Sequence, residues 1–148
     1  MDLCESGNFN IFKIRDLTNG NEAVTVVLSL LARQNVFVDL LKLNYIKLKN
    51  FLKGIQDGYK NITYHNKTHG ADLCQTFYLF CTRGELAIKA KFDSVDFLSY
   101  LVAAACHDFE HPGVNQVFLC QKKQALALRY NDKSVLENHH AAASYKLM

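Results

Sequence analysis

A single proline, Pro112, stands in a chain of 148 residues, and only seven glycines accompany it. So few breakers leave little room for many short strands and tight turns, and they favour helices. The apolar periodicity agrees. Tyr45, Leu48, Leu52 and Ile55 recur on one helical face behind a capping residue, Asn44; Lys49, Lys53 and Gln56 fall elsewhere, and Gly58 is placed to end the helix. His69, Leu73, Phe77 and Phe80 trace a second stripe, stopped near Gly84. Asp93 or Ser94 caps a third helix with Phe97, Leu101 and Ala105 on its apolar face. Ser134-Val135-Leu136-Glu137 has the form of a capping box, with Leu136, His140, Ala143 and Leu147 aligned behind it. Thr18-Asn19-Gly20-Asn21 forms a turn before an earlier apolar helix. The expected fold class is all-α, a compact multi-helix domain. The last helix is still apolar and periodic at Leu147-Met148 without a stop signal. The expectation is therefore a domain cut inside an element.

Composition narrows the function classes. With 49% hydrophobic and 21% charged residues, the chain is globular rather than disordered. A net charge of +3, with the lysines spread, gives no footprint for nucleic acid. The lysines behind Asn44 read as a solvated face, and Phe77 and Phe80 as core. The best apolar run, Val24 to Ala32, is less than half of the roughly 20 residues that span a membrane. Met1-Asp2-Leu3-Cys4-Glu5 lacks the basic start and apolar centre of a secretory signal. Cys4, Cys74, Cys81, Cys106 and Cys120 are odd in number and form no C-x-x-C pair. Together these features imply free thiols, a cytoplasmic setting and no membrane segment. The glycosylation sequons at Asn61 and Asn66 are then chance matches.

The histidines carry the chemistry. All six lie between positions 65 and 140, in three pairs: His65/His69, His107/His111 and His139/His140. Each pair has acidic company, from Asp72, from Asp108 with Glu110, and from Glu137. His65 and His69 are four apart, so a helix projects both from one face. That spacing suits two ligands of one ion, or one ligand and an acid–base group; a surface or core pair would look the same. His107-Asp108 ends the run Leu101-Val102-Ala103-Ala104-Ala105-Cys106. A charged doublet after an alanine-rich stretch needs a partner, which a metal ion would supply; a helix C-terminus with a dipole-favoured histidine is the alternative. Histidine nitrogen with aspartate oxygen suits zinc, manganese, iron or magnesium, and an aspartate can bridge two ions. Pro112-Gly113 then turns the chain and keeps His111 near the doublet. Glu137 is also the third residue of the capping box, a purely structural task. His139 and His140 diverge by roughly 100° on a helix, and His140 is the better inward candidate.

Three segments resemble one family. Tyr64-His65-Asn66-Lys67-Thr68-His69-Gly70-Ala71-Asp72 resembles the Y-H-N-x-x-H-A-x-D segment of class I cyclic-nucleotide phosphodiesterases, within the broader HD-type metal phosphohydrolases. His107-Asp108-Phe109-Glu110-His111-Pro112-Gly113 resembles their H-D-x-x-H-P-G segment. Leu126 to His140 resembles their L-A-x-x-Y-N-D-x-S-V-L-E-x-H-H segment. The likeness runs from about Phe9 to the end, so residues 1–148 correspond to the N-terminal part of such a catalytic domain. The resemblance implies metal-dependent hydrolysis of cyclic AMP or cyclic GMP to a 5′-nucleotide. It makes His65 the general acid and His69, His107 and Asp108 the ligands of a tightly held zinc. Asp108 would also reach a second ion, magnesium or manganese. His111 and Glu137 would hold water behind the ions, and Tyr64, His65 and Asp108 would meet the substrate. Two departures stand out: Gly70 replaces the usual alanine, and Gln116 stands where asparagine is common. The family's fourth ligand, an aspartate, and its purine-gripping glutamine would follow Met148. Another HD-type nucleotide phosphohydrolase, or a catalytically incomplete piece that associates with a full-length phosphodiesterase, are the alternatives.

Overall fold

Polar side chains set where the chain enters helix. In the computed structural model, which describes residues 8–33 and 43–148, asparagine or aspartate oxygens accept first-turn N–H groups at five of the helix starts used below. Asn10 opens α1 (Ile11–Leu17), and the Thr18–Asn21 turn, with Gly20 at φ +79°, leads to α2 (Glu22–Arg33). Asn44 opens α3 (Tyr45–Gly58), and Asn66 opens α4 (Lys67–Thr82). After the short α5 (Leu86–Lys89), Asp93 and Asp96 form a complete capping box at α6 (Ser94–Cys106). Then come α7 (Gln116–Gln121), α8 (Ala125–Arg129) and α9 (Val135–Leu147). Among the described residues there is no strand, so the chain is all-α.

The core forms around α4, which packs against α2 on one side and α6 on the other. Val26, Val27, Leu30 and Leu31 of α2 meet Ala71, Cys74, Tyr78 and Cys81 of α4 and Leu101 and Ala105 of α6. The small residues on α4 let the helices come close. A second cluster, Ile55, Tyr59, Cys106 and Phe109, ties α3 to the end of α6; a third, Leu119, Ala127 and Val135, joins α7, α8 and α9.

The Asn44 and Asp93 caps, the turn and the apolar face of α6 match the sequence expectations; five others need correction, the first being α9, which buries Val135, His140 and Ser144 while Leu147, expected on its stripe, is 40% exposed. The buried face of α4 is Gly70, Ala71, Cys74, Gln75, Tyr78 and Cys81, rotated from the expected stripe at His69, Leu73, Phe77 and Phe80. A sandwiched helix buries its small residues, and Phe80 is left 60% exposed. Gln56 is not on the solvated face of α3: it is buried, donates to Asn21 Oδ1 at 3.1 Å and accepts the Val24 N–H at 3.2 Å. Tyr45, expected on the apolar face, is half exposed. The capping box at Ser134 does not form. Ser134 is left-handed, at φ +40°, and makes no side-chain cap bond. Gln116 Oε1 accepts the Val135 N–H instead, at 2.8 Å. Lys47, Lys49 and Lys53 are solvated, the last paired with Asp57 one turn on. Cys74, Cys81, Cys106 and Cys120 are free thiols; Cys4 lies outside the described residues.

Candidate metal centre

Helix ends bring the histidines together. His69 is the third residue of α4, where Asn66 Oδ1 accepts the N–H groups of both Thr68 and His69. Asn66 Nδ2 donates to the Ile62 carbonyl, so this sequon asparagine has a structural task. His107 is the C-terminal cap of α6, and Asp108 follows it directly. Beyond Asp108 the chain reverses through Glu110, at φ +60°, and Gly113, at φ +84°. A side chain at Gly113 would be strained by that φ, and the turn returns His111 towards the doublet.

The three ligand atoms of His69, His107 and Asp108 meet. His69 Nε2 lies 3.1 Å from His107 Nε2 and 3.3 Å from Asp108 Oδ2, and His107 Nε2 lies 3.0 Å from that same oxygen. Ligands about 2.0–2.1 Å from a tetrahedral ion are separated by about 3.3 Å, so the triangle fits one such ion. The tautomer of His107 fits as well. Its Nδ1–H donates to the Ala104 carbonyl at 2.8 Å, which leaves the Nε2 lone pair facing the triangle. Three protein ligands leave a fourth position open.

Asp108 has a second side. Its Oδ1 points to His140 Nε2, 3.7 Å away, and Asp108, His111 and His140 bring ligand atoms within 4.8 Å of one another. His111 is ill suited to ligate there. Its Nδ1 accepts the Gly113 N–H at 3.0 Å, so in the neutral ring Nε2 carries the proton and donates. That chemistry suits a hydrogen bond to water more than a bond to an ion. His140 is buried, and its Nδ1 donates to the Phe109 carbonyl at 2.6 Å, leaving Nε2 towards Asp108. The sequence marked His140 as inward but gave it no role. Its partner Phe109 sits in the same reverse turn, a contact no spacing rule reveals.

The remaining candidates surround this pair of clusters. The His65 ring stacks on His111 with centroids 4.0 Å apart and 12° between planes, and its centroid is 5.9 Å from that of His69. Tyr64 is 64% exposed, with its ring 4.7 Å from that of His69. Glu137, without a capping box, lines a groove of about 420 Å³ between α6 and α9 together with His107 and His140. A second cleft, of about 730 Å³, opens beside His69 between α1 and the Tyr64–Asp72 segment. Gln116, which stands where asparagine is common, holds the start of α9, and the neighbouring Asn115 caps α7.

Electrostatics follows the same division. Burial pushes the Asp108 carboxyl up, but the hydrogen bond and charge of His107 outweigh it and pull its pKa down to about 2. For His107 burial acts downward, and the bonds to Asp108 and the Ala104 carbonyl more than reverse it. Burial and the neighbouring His107 lower His69. Burial and the facing His65 lower His111 to about 4, and burial lowers His140. The lowered His69 and the ionised Asp108 are already in the forms a cation requires, whereas a cation would have to displace the proton that Asp108 favours on His107.

Comparison with known proteins gives a consistent answer. A family model described as 3'5'-cyclic nucleotide phosphodiesterase matches residues 64–148. The chain is 38% identical, over 99% of its length, to the Drosophila melanogaster high affinity cAMP-specific and IBMX-insensitive 3',5'-cyclic phosphodiesterase 8, and covers 16% of that protein. It is 35% identical to the Rattus norvegicus 3',5'-cyclic-AMP phosphodiesterase 4C, over 94% of the chain and 26% of the relative. Against the Homo sapiens dual specificity calcium/calmodulin-dependent 3',5'-cyclic nucleotide phosphodiesterase 1B it is 36% identical, over 95% of the chain and again 26% of the relative. The chain thus spans about a quarter or less of these relatives. More than half of its residues match the family model, and every segment that builds the histidine–aspartate triangle lies inside that match. The chain belongs to the 3'5'-cyclic nucleotide phosphodiesterase family.

Proposed function

We propose that this chain forms the N-terminal part of a catalytic domain that hydrolyses cyclic AMP or cyclic GMP to the 5′-nucleotide, using two divalent ions. The observation that carries the reading is the His69–His107–Asp108 triangle, with sides of 3.0–3.3 Å and the second oxygen of Asp108 turned to the other side. Zinc suits the triangle, and magnesium or manganese suits the oxygen side. Such ions supply charge neutralisation at the phosphate and activation of water. His65 then gives a proton to the departing ribose 3′ oxygen. Its stacking on His111 holds the ring at a fixed tilt. His111, with Nε2–H free to donate, and Glu137 orient water. Tyr64, His65 and Asp108 face the nucleotide. The free thiols support a cytoplasmic setting.

The test is a graft. Residues 9–148 replace the matching segment of an active relative, and hydrolysis of cyclic AMP and cyclic GMP is measured with zinc and magnesium, beside nucleoside phosphates as other substrates. The expected result is metal-dependent release of a 5′-nucleotide that His65→Ala slows by about 10²–10⁴-fold. A folded graft that binds metal yet acts only on nucleoside phosphates would overturn the reading in favour of another HD-type phosphohydrolase. The 148-residue chain alone is expected to show little or no turnover, because three ligands leave the second ion resting largely on Asp108.

One observation favours a second reading, association with a full-length phosphodiesterase. The α6–α9 groove is lined by Val102, Ala103 and Ala141, with Tyr145 75% and Met148 66% exposed at its edge. Native mass spectrometry of a mixture with such an enzyme distinguishes the two readings.

A further inference from the structure

Glu22, the first residue of α2, is a carboxylate with no exposed surface. One oxygen, Oε1, accepts the Thr68 hydroxyl proton at 2.8 Å; the other, Oε2, has no hydrogen-bond partner. Among the described residues none forms an ion pair with it. Burying a carboxylate so sparsely partnered is unfavourable, and an apolar pair of the same size would serve stability as well or better. The pair therefore needs an explanation other than stability.

Its position supplies one. Thr68 is the second residue of α4, and His69 is the next. Lys67, on the other side of Thr68, donates from Nζ to the Gly20 carbonyl at 2.6 Å. Two adjacent side chains of the first α4 turn are thus lashed to the turn that opens α2. Gln56 locks that same turn to α3 through its bonds to Asn21 and Val24. Helix ends fray unless tied, and a metal ligand on a first turn inherits that motion. Asn66 ties the turn from within through the N–H groups of Thr68 and His69. Glu22 ties it from outside, across 46 residues of sequence.

We propose that Glu22 and Thr68 are positioning residues that fix the first turn of α4, and so set where the His69 imidazole stands relative to His107 and Asp108. This rests on the metal-site reading above. Neither residue touches the site atoms; they act through the backbone of His69. The tolerance is tight, since a site performs only within about 0.5 Å of its working geometry.

The test separates positioning from stability. Glu22→Met with Thr68→Val removes both polar partners and keeps the volume. Its urea midpoint is expected to match or exceed that of the parent chain. Its zinc affinity, by chelator competition, is expected to fall about tenfold, the low end for outer-shell changes. In the zinc-free protein, amide exchange at His69 and Gly70 is expected to quicken, while that at Leu101 stays unchanged. Thr68→Ser alone keeps both the hydroxyl and Glu22 and is expected to retain parental zinc affinity and exchange. A double variant with parental zinc affinity and parental exchange at His69 and Gly70 overturns the proposal. If the parent chain itself binds no zinc, the metal reading fails, and the exchange comparison alone decides the strut. Faster exchange confined to the first α4 turn supports it; unchanged exchange overturns it.

Discussion

The two sides of α6 differ in kind. One side faces α4 and α2, where Leu101 has no exposed surface and Ala105 little. The other faces α9 across the groove, where Val102 and Ala103 stand beside Glu137 and an exposed Tyr145. The first side is a closed hydrophobic contact and holds His69. The second is open, and carries Glu137 and His140. His107 and Asp108, at the end of α6, belong to both. One face of α6 is thus closed and the other open, and residues from both meet at its C-terminus.

The sharpest way to break that picture is at the junction. In the grafted enzyme, Asp108→Ala is expected to abolish turnover and weaken zinc binding by more than about 100-fold, beyond the range for outer-shell residues. His65→Ala is expected to lose about 10²–10⁴-fold in kcat while keeping zinc, as an acid catalyst should. Loss of zinc in the His65 variant would mean that the division of roles is wrong. Next in size is the contrast between faces. Leu101→Ala should destabilise by about 2–5 kcal/mol, and Tyr145→Ser by no more than about 0.5 kcal/mol, both read from urea midpoints. Equal losses would show that the α9 side is as closed as the α4 side.

A pH series sharpens the comparison further. In the zinc-free protein His69, His111 and His140 are lowered, so their folded forms resist protonation. The stability they provide is full above the ordinary histidine value, about 6.5, and is lost as pH falls towards about 4, where His111 titrates. His107, which is raised, acts in the opposite sense: its contribution is full below about 6.5 and is lost at higher pH. With three lowered against one raised, urea midpoints are expected to drop between pH 7 and pH 4.5, and zinc, which needs the neutral imidazoles and is displaced by protons, should steepen the drop. The smallest effect concerns Gly70. A Cβ there would lie 2.9 Å from the Tyr59 hydroxyl, which is fixed to the Ala105 carbonyl at 3.0 Å. Gly70→Ala gains about 1 kcal/mol of helix propensity but meets that hydroxyl. Gly70→Ala with Tyr59→Phe is expected to be more stable than Gly70→Ala alone.

Much of this was legible in the sequence, for reasons that differ by residue. The Asn44 and Asp93 starts are local chemistry, because a short polar side chain reaches only its own first turn. The Leu101 face of α6 showed in its period. The α4 face did not, because glycine, alanine and cysteine carry little hydrophobic signal while Phe80 carries much. The Ser134 box failed because Gln116, 19 residues earlier, satisfies the Val135 N–H. The motif segments named His65, His69, His107 and Asp108, yet the bond from His140 to Phe109 and the Glu22–Thr68 pair cross 31 and 46 residues. Contacts of that range exist only once the helices have docked.

His69 and His107 meet across 38 residues of chain. On the proposed metal reading, one ion bonded to both acts as a clasp on that whole stretch, and the unfolded chain has no comparable grip on it. Free ion at a thousandfold excess over its dissociation constant would add about 4 kcal/mol to a domain whose total stability is of order 5–15 kcal/mol. Such a protein would serve as its own gauge of metal supply. Starved of zinc, it would open more often to proteases, and its abundance would fall with the metal supply.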